Sequence, residues 1–167
     1  YQGSMTSEKI SDAVYRDPAA WFHFHFIWDS DDGAAEDRQR IYINGVRVTS
    51  FSTSTNPSSG QDSVINSAVD HYIGASGQGA TMELNGYLAE VCLIDGLALE
   101  ATSFGQFNED SPTIWEPIDP SGLTFGDNGF YLDFKNSAAL GNDVSGNDND
   151  WTVNNIDAAD QATDTPT

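Results

Sequence analysis

The stretch WFHFHFIW, residues 21–28, alternates without a break between two faces of an extended chain. Phe22, Phe24, Phe26 and Trp28 fall on one face and Trp21, His23, His25 and Ile27 on the other, the period of two that marks a β-strand. After the acidic loop DSDDGAAED (29–37) comes RIYINGVRV (40–48), in which Ile41, Ile43, Val46 and Val48 flank Asn44-Gly45. That dipeptide predicts a two-residue type I′ hairpin, because both of its positions require positive φ. Residues 52–67 read as a polar loop. Further short strands are expected in HYIGA (71–75), in MELNGYLAEVCLID (82–95) with its own Asn-Gly, in GFYLDF (129–134) and in WTVNN (151–155). Helical periodicity is scarce, and its best candidate is a turn around EATSFGQF (100–107). NEDSPTIWEPIDPSG (108–122) holds three of the six prolines and predicts an extended connector. The chain therefore reads as all-β, with short strands between turns, in a sandwich or barrel.

The 167 residues are enough for one ordinary domain. A hydrophobic fraction of 38% is low for a globular chain, but 11% aromatic residues argue against wholesale disorder. The net charge is −20, from 26 acidic and 6 basic residues, and such a surface repels phosphate backbones and anionic headgroups. Nucleic acid and membrane surfaces are thus not expected partners. Cys92 is the single cysteine, so neither an internal disulfide nor a zinc cluster of thiolates can form. No apolar run approaches the roughly 18 residues of a membrane helix. The opening YQGSM reads as a tag remnant ending on an inserted Met, with no signal-peptide pattern.

Taken in order over about residues 15–104, YRDPAAWFHFHFIWD, RIYINGV, YIGA and GYLAEVCLIDGLAL resemble the second half of a LamG-like, concanavalin A-like jelly roll. The wording of IDGLAL, SFG and GFYLDF…SGNDNDWTVNN…DTPT is similar to repeated modules of bacteriophage structural or tail-fibre proteins, marine ones especially. The resemblance implies a two-sheet antiparallel β-sandwich and a place in the virion. It also implies a non-enzymatic structural or adhesive role that includes contact with host-surface carbohydrate. A glycan-active enzyme of the same superfamily and a pure spacer or assembly domain are the alternatives.

In that family the element resembling YLDF…DVSGNDND opens the domain, whereas here it follows the last strand. Either this segment completes a permuted sandwich, which is the preferred arrangement, or an incomplete sandwich pairs with another copy through an open sheet edge. The expected organisation is a tag remnant at 1–5, a sandwich body at 6–107, the connector at 108–122, completing strands at 123–155 and a flexible acidic tail at 156–167.

Candidate chemistry is sparse. A glycoside hydrolase needs two carboxylates flanking the scissile bond. The Glu-x-Asp-x-x-Glu pattern of laminarinase-like enzymes is absent, and Glu90 and Asp95 fall on opposite faces of a regular strand. A sialidase Asp-box fails at Asn147 and Asn149. No nucleophile elbow or phosphate loop occurs, and no catalytic residue is expected. His23 and His25 share a strand face, where a packing role outweighs metal binding. Arg38 and Arg40 read as ion-pair partners. Trp115, in the proline-bounded connector, is the candidate sugar-stacking residue, although capping the sandwich is the preferred role. For calcium, Asp29 and Asp31 start a loop that lacks the closing Glu of an EF-hand. Asp143, Asn147, Asp148 and Asp150 in GNDVSGNDNDW (141–151) offer hard oxygen ligands around Gly146. The same residues also make Asx-turns without metal, and that reading is favoured over Ca²⁺.

Overall fold

The computed structural model describes residues 7–76 and 83–163. The tag remnant at 1–5, most of ASGQGA and the last four residues of the tail lie outside that range. Among the described residues the chain is all-β and antiparallel. Its strands are β1 (Glu8–Ser11), β2 (Phe24–Trp28), β3 (Gln39–Ile43), β4 (Val46–Arg47) and β5 (Phe51–Thr55), then β6 (Val91–Leu93), β7 (Gly105–Phe107), β8 (Trp115–Pro117) and β9 (Phe130–Leu132). They pair as four small sheets, β1-β5, β2-β3-β4, β6-β9 and β7-β8, rather than as two continuous ones.

Two compact units divide the chain. The first unit runs to Asp62 and takes in Ala98–Pro120; the second joins Ser63–Leu97 to the segment from Ser121 onward.

The first unit is built on WFHFHFIW. Its strand part, β2, pairs with β3 in the register Phe24↔Ile43, His25↔Tyr42, Phe26↔Ile41 and Ile27↔Arg40. Asn44 and Gly45 have φ of 48° and 74°, so the Asn-Gly pair forms the type I′ turn that joins β3 to β4. Asn44 also ties back to the strand: its Oδ1 accepts the N–H of His23 at 2.8 Å, and its own N–H donates to His23 O at 2.9 Å.

Of the two faces of β2, the one carrying His25 and Ile27 is the core face. Ile27 is 4% exposed and packs with Tyr42, Ala101 and the partly buried Trp115. On the other face Phe24 is 62% exposed, in line with Ile43 and with Val46 at 60%. The 98–117 segment supplies the cover on the core face. His25 Nε2 lies 3.0 Å from Leu99 O and its ring 5.1 Å from Phe104, and the Tyr42 hydroxyl donates to Glu100 at 2.6 Å. Arg40 pairs with Asp32 and Glu100, both at 3.5 Å. Arg38 instead donates to the carbonyls of Asp32 and Pro57.

The expected connector is not simply extended. Asn108 Oδ1 accepts the N–H groups of Asp110 and Ser111, an Asx-turn that reverses the chain and lets β8 pair with β7. Pro117, at the end of this edge strand, has no N–H for the ladder to miss. EATSFGQF is likewise split, into a 3₁₀ turn at Ala101–Ser103 followed by β7.

Trp115 fills the space this hairpin creates. A Cβ added at Gly45 or Gly105 would sit 2.2 or 2.4 Å from its ring atoms, and its indole stacks on His23 with centroids 5.8 Å apart. Gly45 is thus required twice, by its positive φ and by the indole against it.

In the second unit β6 and β9 pair as Val91↔Leu132, Cys92↔Tyr131 and Leu93↔Phe130. All three residues of β9 are buried, as are Phe125 and Leu140, and the Phe125 ring stacks on that of Tyr131 with centroids 6.1 Å apart. Two expected strands do not form. HYIGA turns instead of running straight: both His71 ring nitrogens face carbonyls, those of Val69 and Val64, and Gly74 sits at φ 80°. WTVNN is tied at its start, where the Trp151 N–H donates to Gly141 O at 2.8 Å, and Asn155 at φ 57° leaves the extended region.

Candidate ligand-binding concavity

The Asp/Asn-rich segment 141–151 is a clasp on β9. Asp143, 6% exposed, accepts four hydrogen bonds. Its Oδ1 takes the N–H groups of Tyr131 (2.8 Å) and Ser145 (2.9 Å), and its Oδ2 takes the Ser145 hydroxyl (2.8 Å) and the Asn149 N–H (3.0 Å). Burial raises the pKa of this carboxyl, but the donors of Tyr131, Ser145 and Asn149 outweigh it and hold the group below its ordinary value. Asp150 Oδ1 accepts the Asp143 N–H at 2.8 Å. The side-chain amides of Asn147 and Asn149 both donate to Gly129 O, and also to Gly126 O and Asp127 O respectively. Asp148 occupies a left-handed position at φ 59° and Gly146 another at 94°, the conformations that let so short a segment double back.

The four candidate calcium ligands therefore lie in one loop. Both carboxylate oxygens of Asp143 are taken by backbone N–H groups and the Ser145 hydroxyl, the Asn147 amide N–H₂ is spent on backbone carbonyls, and one oxygen of Asp150 accepts the Asp143 N–H. Among the described residues no group of three or more His, Cys, Asp or Glu side chains is arranged to hold a metal ion.

A second anchor lies at the end of β6. Asp95 Oδ1 accepts the Asn66 side-chain amide at 2.8 Å, and its Oδ2 accepts the Asn128 N–H at 3.2 Å and the Asn128 side-chain amide at 3.0 Å. Its own N–H donates to Phe125 O. Gly126 makes this approach possible: its φ is 75°, and a Cβ there would lie 2.3 Å from Asp95 O.

Between the clasp and the Asp95 anchor opens a concavity of about 390 Å³. Tyr72, Phe130 and Trp151 contribute rings, and Asn66, Asn128 and Asn149 contribute carboxamides. Trp151 meets Phe130 edge to face with centroids 5.0 Å apart, which fixes the indole at the wall. Cys92 also lines the concavity, but burial, with Glu90 and Asp143 adding to it, pushes its thiol up to about 12, far from a reactive thiolate.

Trp115, the stacking residue singled out in the sequence, belongs to the first unit and is taken up in the packing described above. The residues that do line the concavity carry no motif. Asn66 and Asn128 are isolated polar residues in turn-rich sequence, and only folding brings them to one carboxylate. The local signal available was the Asx-turn composition of GNDVSGNDNDW, which places Asn149 and Trp151 together.

No protein-family model, curated protein or solved structure matches this chain. Among the described residues no helix is long and apolar enough to cross a membrane.

Proposed function

We propose that this chain is a non-enzymatic adhesive module that binds carbohydrate through the concavity of the second unit. The observation that carries the reading is the composition of that wall, with aromatic rings beside three carboxamides. Sugars offer apolar C–H faces that pack on rings, and hydroxyls that exchange hydrogen bonds with amide groups. The resemblance to phage structural and tail-fibre modules supplies the context of a virion adhesin, and the two-sheet sandwich of that family forms part of the same proposal.

The chemistry of the wall favours binding over turnover. Glycoside hydrolysis needs one carboxyl as acid and a second as nucleophile or base. Asp150 is the only carboxylate among the described lining residues, and the Asp95 carboxylate near them is already hydrogen-bonded through both oxygens. A glycan array and a reducing-end assay on the same preparation test the reading. Retention of glycan without release of reducing ends is expected, and catalytic release would overturn it.

A further inference from the structure

We infer that the saccharide taken by this concavity lacks acidic groups, and that Asp95 acts as a positioning residue that turns two carboxamide oxygens toward it; this rests on the adhesive reading above. A carboxamide offers an N–H₂ donor on one side and a C=O acceptor on the other. Asn66 and Asn128 both spend their N–H₂ groups on Asp95, so the carbonyl oxygen of each is directed away from that carboxylate. Asn149 spends its own N–H₂ on the carbonyls of Asp127 and Gly129.

Each of the three carbonyl oxygens is without a protein donor among the described residues, and all three residues line the concavity. Asp150 adds one more acceptor, the Ser67 hydroxyl and both His71 ring nitrogens are turned to the carbonyls of Val64 and Val69, and neither Lys nor Arg is among the described lining residues. The wall is therefore rich in acceptors. It suits a ligand that arrives with hydroxyl hydrogens, stacked against Tyr72 or Trp151. Carboxylate, sulfate or phosphate groups bring no hydrogens at neutral pH, and they meet both the unpaired acceptors and the acidic surface of a chain with net charge −20.

Asp95→Asn tests the positioning role directly. An amide at position 95 can satisfy only one partner as an acceptor, so Asn66 or Asn128 must rotate and present its N–H₂ to the ligand. The intact protein, Asp95→Asn and Asn128→Ala are screened against neutral oligosaccharides and against sialylated, sulfated and uronic-acid glycans, with melting temperature recorded for each protein. Neutral glycans are expected to bind the wild type at least tenfold more tightly than acidic ones. That preference should narrow by about tenfold in Asp95→Asn, since one correctly aimed hydrogen bond is worth about that factor. Asn128→Ala, at an exposed side chain, is expected to lose a similar factor for neutral glycans and serves if Asp95→Asn does not fold.

Acidic glycans binding as well as neutral ones would overturn the inference and leave the adhesive reading standing. So would a folded Asp95→Asn with unchanged preference, or unchanged neutral-glycan affinity in Asn128→Ala. Binding to no glycan of any class would overturn both.

Discussion

The Asp143 carboxylate accepts the backbone N–H of Tyr131 at 2.8 Å, so a residue in a turn-rich loop completes the hydrogen bonding of a buried strand. Val144 N–H then returns to Tyr131 O at 2.9 Å, so the loop is hydrogen-bonded to both the N–H and the C=O of this β9 residue. The acidic segment thus does for the second unit what a sheet neighbour would otherwise do.

Removing that carboxylate should expose the dependence. Asp143→Ala leaves the N–H groups of Tyr131, Ser145 and Asn149 without their acceptor, and a buried donor left unpaired costs about 1–3 kcal/mol. Because some of these N–H groups can reach water, a net loss of about 2–4 kcal/mol is expected in urea unfolding. A loss below the error of the fit would show that the clasp is not structural.

Calcium should not shift the melting temperature. The oxygens of Asp143 are committed to four N–H and O–H donors, and coordination would require breaking them. Thermal melts in EDTA and in millimolar Ca²⁺ are expected to coincide; a rise with Ca²⁺ would reveal a bound state of this or another acidic loop.

Acid should weaken the first unit before the second. Burial lowers the pKa of both His23 and His25, aided at His23 by the neighbouring imidazole and opposed at His25 by the bond to Leu99 O. The unfolded chain then binds protons that the folded one refuses. The stability tied to these neutral imidazoles is complete above the ordinary pKa of about 6.5 and is lost as pH falls below it. For Asp143, whose pKa is also lowered, the contribution holds above its ordinary value and is lost below about pH 4. Melting at pH 7.5 and 5.5 should differ for the wild type and much less for a His23→Gln, His25→Gln double variant. Equal differences in the two proteins would rule out the histidines as the source.

The Gly45 and Trp115 pair should behave as one element. Gly45→Ala puts a side chain at positive φ, worth about 1–2 kcal/mol, and drives it into the indole, worth about 1–3 more. Combining it with Trp115→Ala should therefore cost less than the sum of the two single variants. Strict additivity in chemical denaturation would show that the two residues do not touch in solution.

Cys92 should resist alkylation. With its thiol pushed up to about 12, less than about one part in a thousand is thiolate at pH 8.5. Labelling by iodoacetamide should follow global unfolding in rising urea, and rapid labelling of the native protein would contradict the burial.

How much of this was legible beforehand differs from element to element. The alternation of WFHFHFIW and the Asn-Gly pair specified β2, β3 and their hairpin, because both signals are local: side-chain period and backbone φ are properties of a few consecutive residues. Asn, Asp and Gly in 141–151 specified tight turns for the same reason. WTVNN had the right residue types for a strand but not a partner, and Asn155 at positive φ ended it.

What the sequence by itself determined is thus the all-β character, the central hairpin and the folding-back of the acidic segment. The tertiary structure alone decided which face of β2 is buried, since both faces are apolar and only the returning 98–117 segment makes the His25 face the covered one. It also decided that Trp115 fills the gap over Gly45 and Gly105, and that Asn66 and Asn128 meet on Asp95. Those outcomes depend on contacts between residues far apart in the chain, and on satisfying the Asp95 carboxylate, neither of which is written in any short stretch.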